Sequence, residues 1–272
     1  MHDTMYELVG VAKVFTHRQM TLENVALVIG RGEAIAFIGA SGAGKTTLFR
    51  VLNLTLRPSA GTLRVGGIDV SRLGRAEMRR LRRRLGMVYQ QQNLVGWLRV
   101  VHNVLAGHLG RWSTAKALWS LVRPQDMESA IHALSRVGLA DKLFARTDTL
   151  SGGQQQRVAV ARLLVQAPDV VLADEPVSSV DPSQADAIVR LLVEDARSRG
   201  QTLLMNLHSV ELALRYFPRI IGMRGGRVLF DLSPEKVTPE LLSELYGGVH
   251  ADDAASAVYE RALSLLHGCR AA

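Results

Sequence analysis

The run Gly39-Ala40-Ser41-Gly42-Ala43-Gly44-Lys45-Thr46, continued by Thr47, sets glycines, one cation and a hydroxyl in the spacing G-x-x-x-x-G-K-[ST]. Chemistry at a polyphosphate calls for that combination. Gly39, Gly42 and Gly44 permit backbone angles that turn successive N–H groups inward, where they can cradle phosphate oxygens at the start of a helix. Lys45 offers a point charge to β and γ phosphates, and the Thr46 hydroxyl can ligate Mg²⁺. The plain alternative is a glycine-rich turn that happens to precede a lysine. The strand pattern before the run and the helix pattern after it disfavour that reading.

Two further segments fit the same chemistry. Asp174 and Glu175 follow the apolar run Val170-Val171-Leu172-Ala173. Asp174 is placed to hold a Mg²⁺ shell, directly or through water, and Glu175 to orient and deprotonate an attacking water. Adjacent acids are often just a solvated turn; beside a phosphate loop they make the pair that phosphoryl transfer needs. In Leu150-Ser151-Gly152-Gly153-Gln154-Gln155-Gln156-Arg157 two glycines allow the backbone to approach an anion closely. Ser151 there can cap a helix whose positive end faces phosphate. A capped surface helix is the alternative.

These residues must be held by a scaffold. Apolar, partly β-branched runs at 34–38, 170–173 and 203–207 read as buried parallel strands. Their carboxyl ends carry the glycine-rich loop, the two acids and His208, and in an open α/β sheet ligands collect at those ends. Between about 93 and 161 the pattern changes. Segments 100–109, 115–122 and 127–137 carry apolar residues three and four apart, as helices do, with Gly110, Pro124 and Gly138 as breaks. Alternation at 6–14, 21–29 and 62–65 suggests an antiparallel layer.

The 272 residues, 47% of them hydrophobic, suffice for a sizeable core. No apolar run approaches the roughly 20 residues that cross a bilayer as a helix, so no transmembrane span is expected. Met1-His2-Asp3-Thr4 lacks a secretory pattern, and the lone Cys269 can form no internal disulfide; both point to the cytoplasm. Much of the net charge of +8 lies in arginines 72, 75, 79, 80, 82, 83 and 84, interleaved with Leu73, Met78 and Leu81. That run reads first as a solvated helix face, then as a contact for anionic lipid or a partner. No aromatic stacking pattern or recognition helix accompanies it, which argues against nucleic acid.

The segment 150–157 resembles the signature of the ABC family of ATPases, and the other motifs of that family follow in order. The resemblance covers the chain from about Tyr6 to Gly247. It implies an α/β P-loop NTPase (RecA-like) core with an antiparallel β subdomain and an inserted α-helical subdomain. On it, residues 1–248 form one nucleotide-binding domain; the helix-like pattern of 249–272 reads separately as a short C-terminal helical extension. It implies that Ser151, Gly152, Gly153 and Gln154 meet ATP held by the partner's phosphate loop in a head-to-tail homodimer. Gln90 matches the glutamine that contacts the metal and the nucleophilic water, and Asp181, in Ser179-Val180-Asp181-Pro182, matches a loop at the dimer interface. His208 matches the histidine that reaches the γ-phosphate, and Phe15 the aromatic that stacks on adenine, although a ring there could equally pack into the β layer.

Within the family the chain looks most like the ATP-binding subunits of phosphonate importers, through 86–95, 149–162 and 206–216 and an insertion holding Trp112 and Trp119. Gln92, where phenylalanine is usual, and Leu163, where alanine is common, depart from the pattern. The implied partners are two transmembrane permease subunits and, indirectly, an extracytoplasmic solute-binding protein. An importer for another small solute, or a soluble ABC ATPase outside transport, stays open. Trp97, Trp112 and Trp119 read first as core, and otherwise as part of a groove for a permease helix, with Trp97 the better candidate.

Overall fold

A computed structural model describes residues 3–15, 20–178 and 180–247. Ser179 and the expected extension over 249–272 lie outside the described residues.

Four strands form the smaller sheet: β1 (Thr4–Val14), β2 (Met20–Gly30), β4 (Ala60–Val65) and the two-residue β5 (Ile68–Asp69), in the order β2-β1-β4-β5 and antiparallel throughout. The larger sheet contains β3 (Ala34–Ile38), β6 (Leu85–Val88), β7 (Val170–Asp174), β8 (Thr202–Asn206), β9 (Arg219–Arg224) and β10 (Arg227–Leu232). Its order is β10-β9-β3-β8-β7-β6, parallel except for β10 at one edge.

Alternation along the central strands divides the core in two. Ile35, Phe37, Leu172, Leu204 and Ile221 face the smaller sheet and α1 (Lys45–Leu52), meeting Leu8, Val11, Leu22, Leu48 and Phe49. The Phe37 and Phe49 rings meet edge to face at 5.3 Å between centroids. Ala36, Ile38, Val171, Ala173, Leu203 and Met205 face the opposite way. That face is covered by helices, as a parallel sheet requires.

The helices on that side include α3 (Val100–Leu105), α5 (Met127–Arg136), α6 (Gly152–Gln166), α7 (Pro182–Ser198) and α8 (Val210–Tyr216). The chain also forms α2 (Arg75–Arg82), α4 (Thr114–Val122) and α9 (Pro239–Tyr246). Three of these, α3 to α5, match the expected helical insertion. Residues 106–109, expected to continue the first of them, tighten with Gly110 into a 3₁₀ turn, and Gly138 follows the end of the third with φ +67°.

α2 buries Met78 and Leu81 and leaves its arginines exposed, so the basic run is a solvated helix face. Two arginines of the run are tied down: Arg82, the last residue of α2, donates to the Leu54 carbonyl, and Arg84, just beyond it, pairs with Asp169 at 2.6 Å. The core reading of the tryptophans fails for two of three. Trp112 packs against the core and stacks on His108 at 4.9 Å, but Trp97 is 70% exposed and Trp119 is exposed on α4, where only Ser120 is buried. Among the described residues, no helix is long and apolar enough to cross a membrane.

Candidate nucleotide site

The parallel register brings the sequence-predicted groups to one edge of the sheet. Val88 of β6 pairs with Ala173 of β7, Asp174 pairs with Asn206 of β8, and Asn206 pairs with Phe37 of β3. Gln90, Glu175, His208 and Gly39 each lie one or two residues beyond these positions, so a single row of strand ends presents all four. This is the crevice in which open α/β sheets bind ligands.

The loop between β3 and α1 is shaped by close backbone approach. At Gly39, φ is +147° and a Cβ would lie 2.2 Å from the Met223 carbonyl oxygen of β9. At Gly44, φ is +97° and a Cβ would lie 2.6 Å from the Thr21 carbonyl oxygen. Only glycine fits either position. Gly42 turns with φ +81° into open space. The loop is tied to the β9–β10 turn by the bond from Gly226 N to Ala43 O, 3.0 Å. Ala40, Ser41 and Gly42 form its outer arc, with Ser41 and Gly42 at the surface or beside it, and Thr46 and Thr47 open α1.

Lys45 is 4% exposed, and its Nζ donates to the carbonyls of Gly39 at 2.6 Å and Ala40 at 3.0 Å. Burial lowers its pKa, opposed by the charges of Glu175 and Asp174. The ammonium is thus folded back over the loop by its own carbonyls, close to the two acids. Asp174 is likewise 4% exposed. Burial raises its pKa, and the amide of Asn206, donating to Oδ1 at 2.7 Å, acts in the other direction. The Thr46 hydroxyl lies 3.4 Å from the same oxygen.

Glu175 adopts a left-handed conformation, φ +52°, with its N–H donating to the Asn206 carbonyl at 3.2 Å. Its Oε1 lies 2.6 Å from His208 Nε2, pairing residues one and two positions beyond the ends of β7 and β8. A non-glycine residue in this region is strained, and such strain persists where the surroundings fix it. Gln90 is exposed in the turn after β6; its neighbour Tyr89 is held by Asn53 at 3.0 Å. Phe15 is half-buried, with Lys13 Nζ 5.4 Å from its ring centroid. It follows β1, whose partner strand β2 begins at the Met20–Thr21 corner that touches Gly44.

Ser151 caps α6, its hydroxyl accepting from Gln154 N at 3.3 Å while Gln154 Oε1 accepts from Ser151 N at 3.0 Å. Ser151 and Gly152 are exposed, and a Cβ on Gly152 would meet nothing within 4 Å. The end of α6 is therefore an open, positively polarised surface with Gly153 in its first turn. Among the described residues, no hydrogen bond or ion pair joins 151–154 to 39–47. Asp181 caps α7, accepting from the Ser183 hydroxyl at 2.7 Å and Gln184 N at 3.0 Å. Those bonds hold its pKa below the usual carboxylate range. Asn206 is the functional residue that spacing rules missed. Its signal is a polar side chain inside the apolar run 203–207.

The residues fit a nucleotide and its metal. Gly39 and Gly44 allow the loop a course that a Cβ would block against the Met223 and Thr21 carbonyls, and Thr46 with Asp174 present a hydroxyl and a carboxylate side by side. Mg²⁺ is commonly held by one or two such groups together with substrate phosphates rather than by an all-protein cage.

A parallel sheet with a phosphate loop, a buried lysine and an acid pair at its carboxyl edge defines a phosphate-loop nucleotide-binding protein. The profile of the ABC transporter family matches residues 22–178, and the chain belongs to that family. It is 49% identical over 237 residues to "Phosphonates import ATP-binding protein PhnC 2" of Pseudomonas aeruginosa, covering 87% of this chain and 89% of the relative. To "Phosphonates import ATP-binding protein PhnC 1" of Cupriavidus necator it is 46% identical over 246 residues, 90% of this chain and 88% of the other. Among solved structures, the post-hydrolysis dimer of the ATP-binding cassette MJ0796, bound to ADP and Pi, superposes with a TM-score of 0.75 at 29% identity. That match covers 85% of this chain and 99% of the other.

Proposed function

We propose that this chain hydrolyses ATP to energise phosphonate uptake, as the peripheral ATPase of an importer on the cytoplasmic face of the cell membrane. The observation that carries the catalytic half is the Glu175–His208 pair, 2.6 Å apart at the sheet edge that also bears Lys45 and Asp174. The solute half rests on the relatives' names and on their close identity over most of the chain.

The residues divide the work by their chemistry. Phe15 stacks on adenine, the N–H groups of 39–44 with Lys45 bind the phosphates, and Thr47 extends the helix start behind them. Thr46, Asp174 and Gln90 are the residues that would hold Mg²⁺, which when bound neutralises phosphate charge. Glu175 accepts the proton of the attacking water, and His208, oriented by its bond to Glu175, reaches toward the γ-phosphate. Ser151, Gly152, Gly153 and Gln154 complete the site from a second copy, and Asp181 lies at that interface. The open, exposed end of α6 supports this homodimeric arrangement, as does the dimeric form of MJ0796. Two permease subunits, served by an extracytoplasmic binding protein, would receive the motion.

Uptake of a labelled alkylphosphonate by cells carrying the native chain or Glu175→Gln tests the reading, with phosphate, phosphate-ester and amino-acid uptake alongside. Selective loss of phosphonate uptake is expected. Loss of a different solute overturns the solute assignment and keeps the motor; no defect in any uptake overturns both.

A further inference from the structure

Asn206 ends β8 at the centre of the site. Its backbone pairs with Phe37, two residues before the phosphate loop, and with Asp174 on the other side. Its carbonyl accepts the Glu175 N–H at 3.2 Å and its Nδ2 donates to Asp174 Oδ1 at 2.7 Å. One residue therefore touches both acids, through main chain and side chain respectively.

The side chain is fully buried, and its Oδ1 has no hydrogen-bond partner among the described residues. A buried amide with one unpaired oxygen is a costly choice in a strand otherwise apolar from Leu203 to Met205. Stability alone favours an apolar residue there. The amide orientation is fixed by its neighbour, because turning it over would set its carbonyl oxygen against a carboxylate oxygen. The donor must face Asp174, and its reason to be there lies in that carboxylate.

We propose that Asn206 is a positioning residue for metal binding: by holding Asp174 Oδ1 from the β8 side, it fixes the carboxylate beside the Thr46 hydroxyl in the orientation that receives Mg²⁺. Outer-shell partners of ligating carboxylates commonly act this way. The inference rests on the ATPase reading of the same site. It differs from that reading in assigning a role to a residue that acts through Asp174.

The test uses the purified full chain, native and as Asn206→Ala and Asn206→Leu, the latter keeping asparagine's branched shape without its amide. Mn²⁺ affinity is titrated by electron paramagnetic resonance with a non-hydrolysable ATP analogue bound, and analogue affinity is measured separately in EDTA. Both variants should bind Mn²⁺ about 10–100-fold more weakly, the usual range for a lost outer-shell partner, with native analogue affinity in EDTA. In an Asp174→Ala background, Asn206→Leu should add nothing, since it acts through Asp174. Native Mn²⁺ affinity in the variants, or a further loss in that background, overturns the proposal. So does loss of analogue binding in EDTA, which would make Asn206 a support of the loop's fold. A native chain that binds no analogue under either condition would instead sink the ATPase reading itself.

Discussion

Replacing Gly39 by alanine separates two physical effects that glycine-rich loops usually confound. Gly39 and Gly42 both have positive φ, +147° and +81°, and alanine at either pays a conformational penalty of about 1–2 kcal/mol. Only at Gly39 does the new Cβ collide: it would sit 2.2 Å from the Met223 carbonyl oxygen, whereas Gly42 faces open space. The obstacle is backbone of a central strand, with no flexible side chain to swing away. Relieving it by moving the loop or β9 costs about 1–3 kcal/mol more, as overpacking does in tight interiors. In a domain of this size that difference corresponds to roughly 2–10 °C in melting temperature, measured by circular dichroism on both variants. Gly39→Ala should also lose ATP affinity, because Lys45 bonds the Gly39 carbonyl and moves with it. Equal melting temperatures for Gly39→Ala and Gly42→Ala, with equal ATP affinity, would refute the steric account of the loop.

Three further outcomes follow from individual side chains. Ser151→Ala removes the acceptor for Gln154 N and should cost about 1 kcal/mol in denaturant unfolding, while lowering hydrolysis without weakening ATP binding to the isolated chain; unchanged hydrolysis would count against the composite site. The Asp181 carboxylate is held below its ordinary pKa by Ser183 and Gln184, so its contribution is present above about pH 4 and fades as pH falls through the lower folded value. The stability gap between the native chain and Asp181→Asn, read from melts across pH, should therefore narrow toward acid, and a gap that widens would reverse the sign of the argument. Trp97, exposed and unsupported by the core, should tolerate alanine within about 0.5 kcal/mol while transport in cells drops; normal transport by that variant would remove it from the permease contact.

Much of the fold was legible because its strands are short, apolar and ended by polar chemistry. The run 34–38 is β3 residue for residue, β7 is one residue longer than the expected 170–173, and β8 lies one residue earlier than the expected 203–207. β9 and β10 went unread: Arg219-Ile-Ile-Gly-Met-Arg is bracketed by charges, and Arg219 is at home there because it pairs with Glu33 and Asp231 across the sheet edge. β6 was hidden by the arginine run directly before it. The exposure of Trp97 and Trp119 could not be foreseen, because residue type reports hydrophobicity and says nothing of whether a second layer exists to cover it. Motif spacing singled out Lys45, Asp174, Glu175 and His208, which the sheet register brings to one edge. It could not find the contact between Glu175 and His208, which depends on the register of β7 against β8, nor the capping role of Asp181 beside its motif role.

The most direct test of the central claim is Mg²⁺-dependent hydrolysis of ATP by the purified chain, native and as Glu175→Gln. With Glu175 as the base, the variant should turn over roughly 10²- to 10⁴-fold more slowly while binding ATP as tightly as the native chain. Hydrolysis by Glu175→Gln at the native rate would contradict the account.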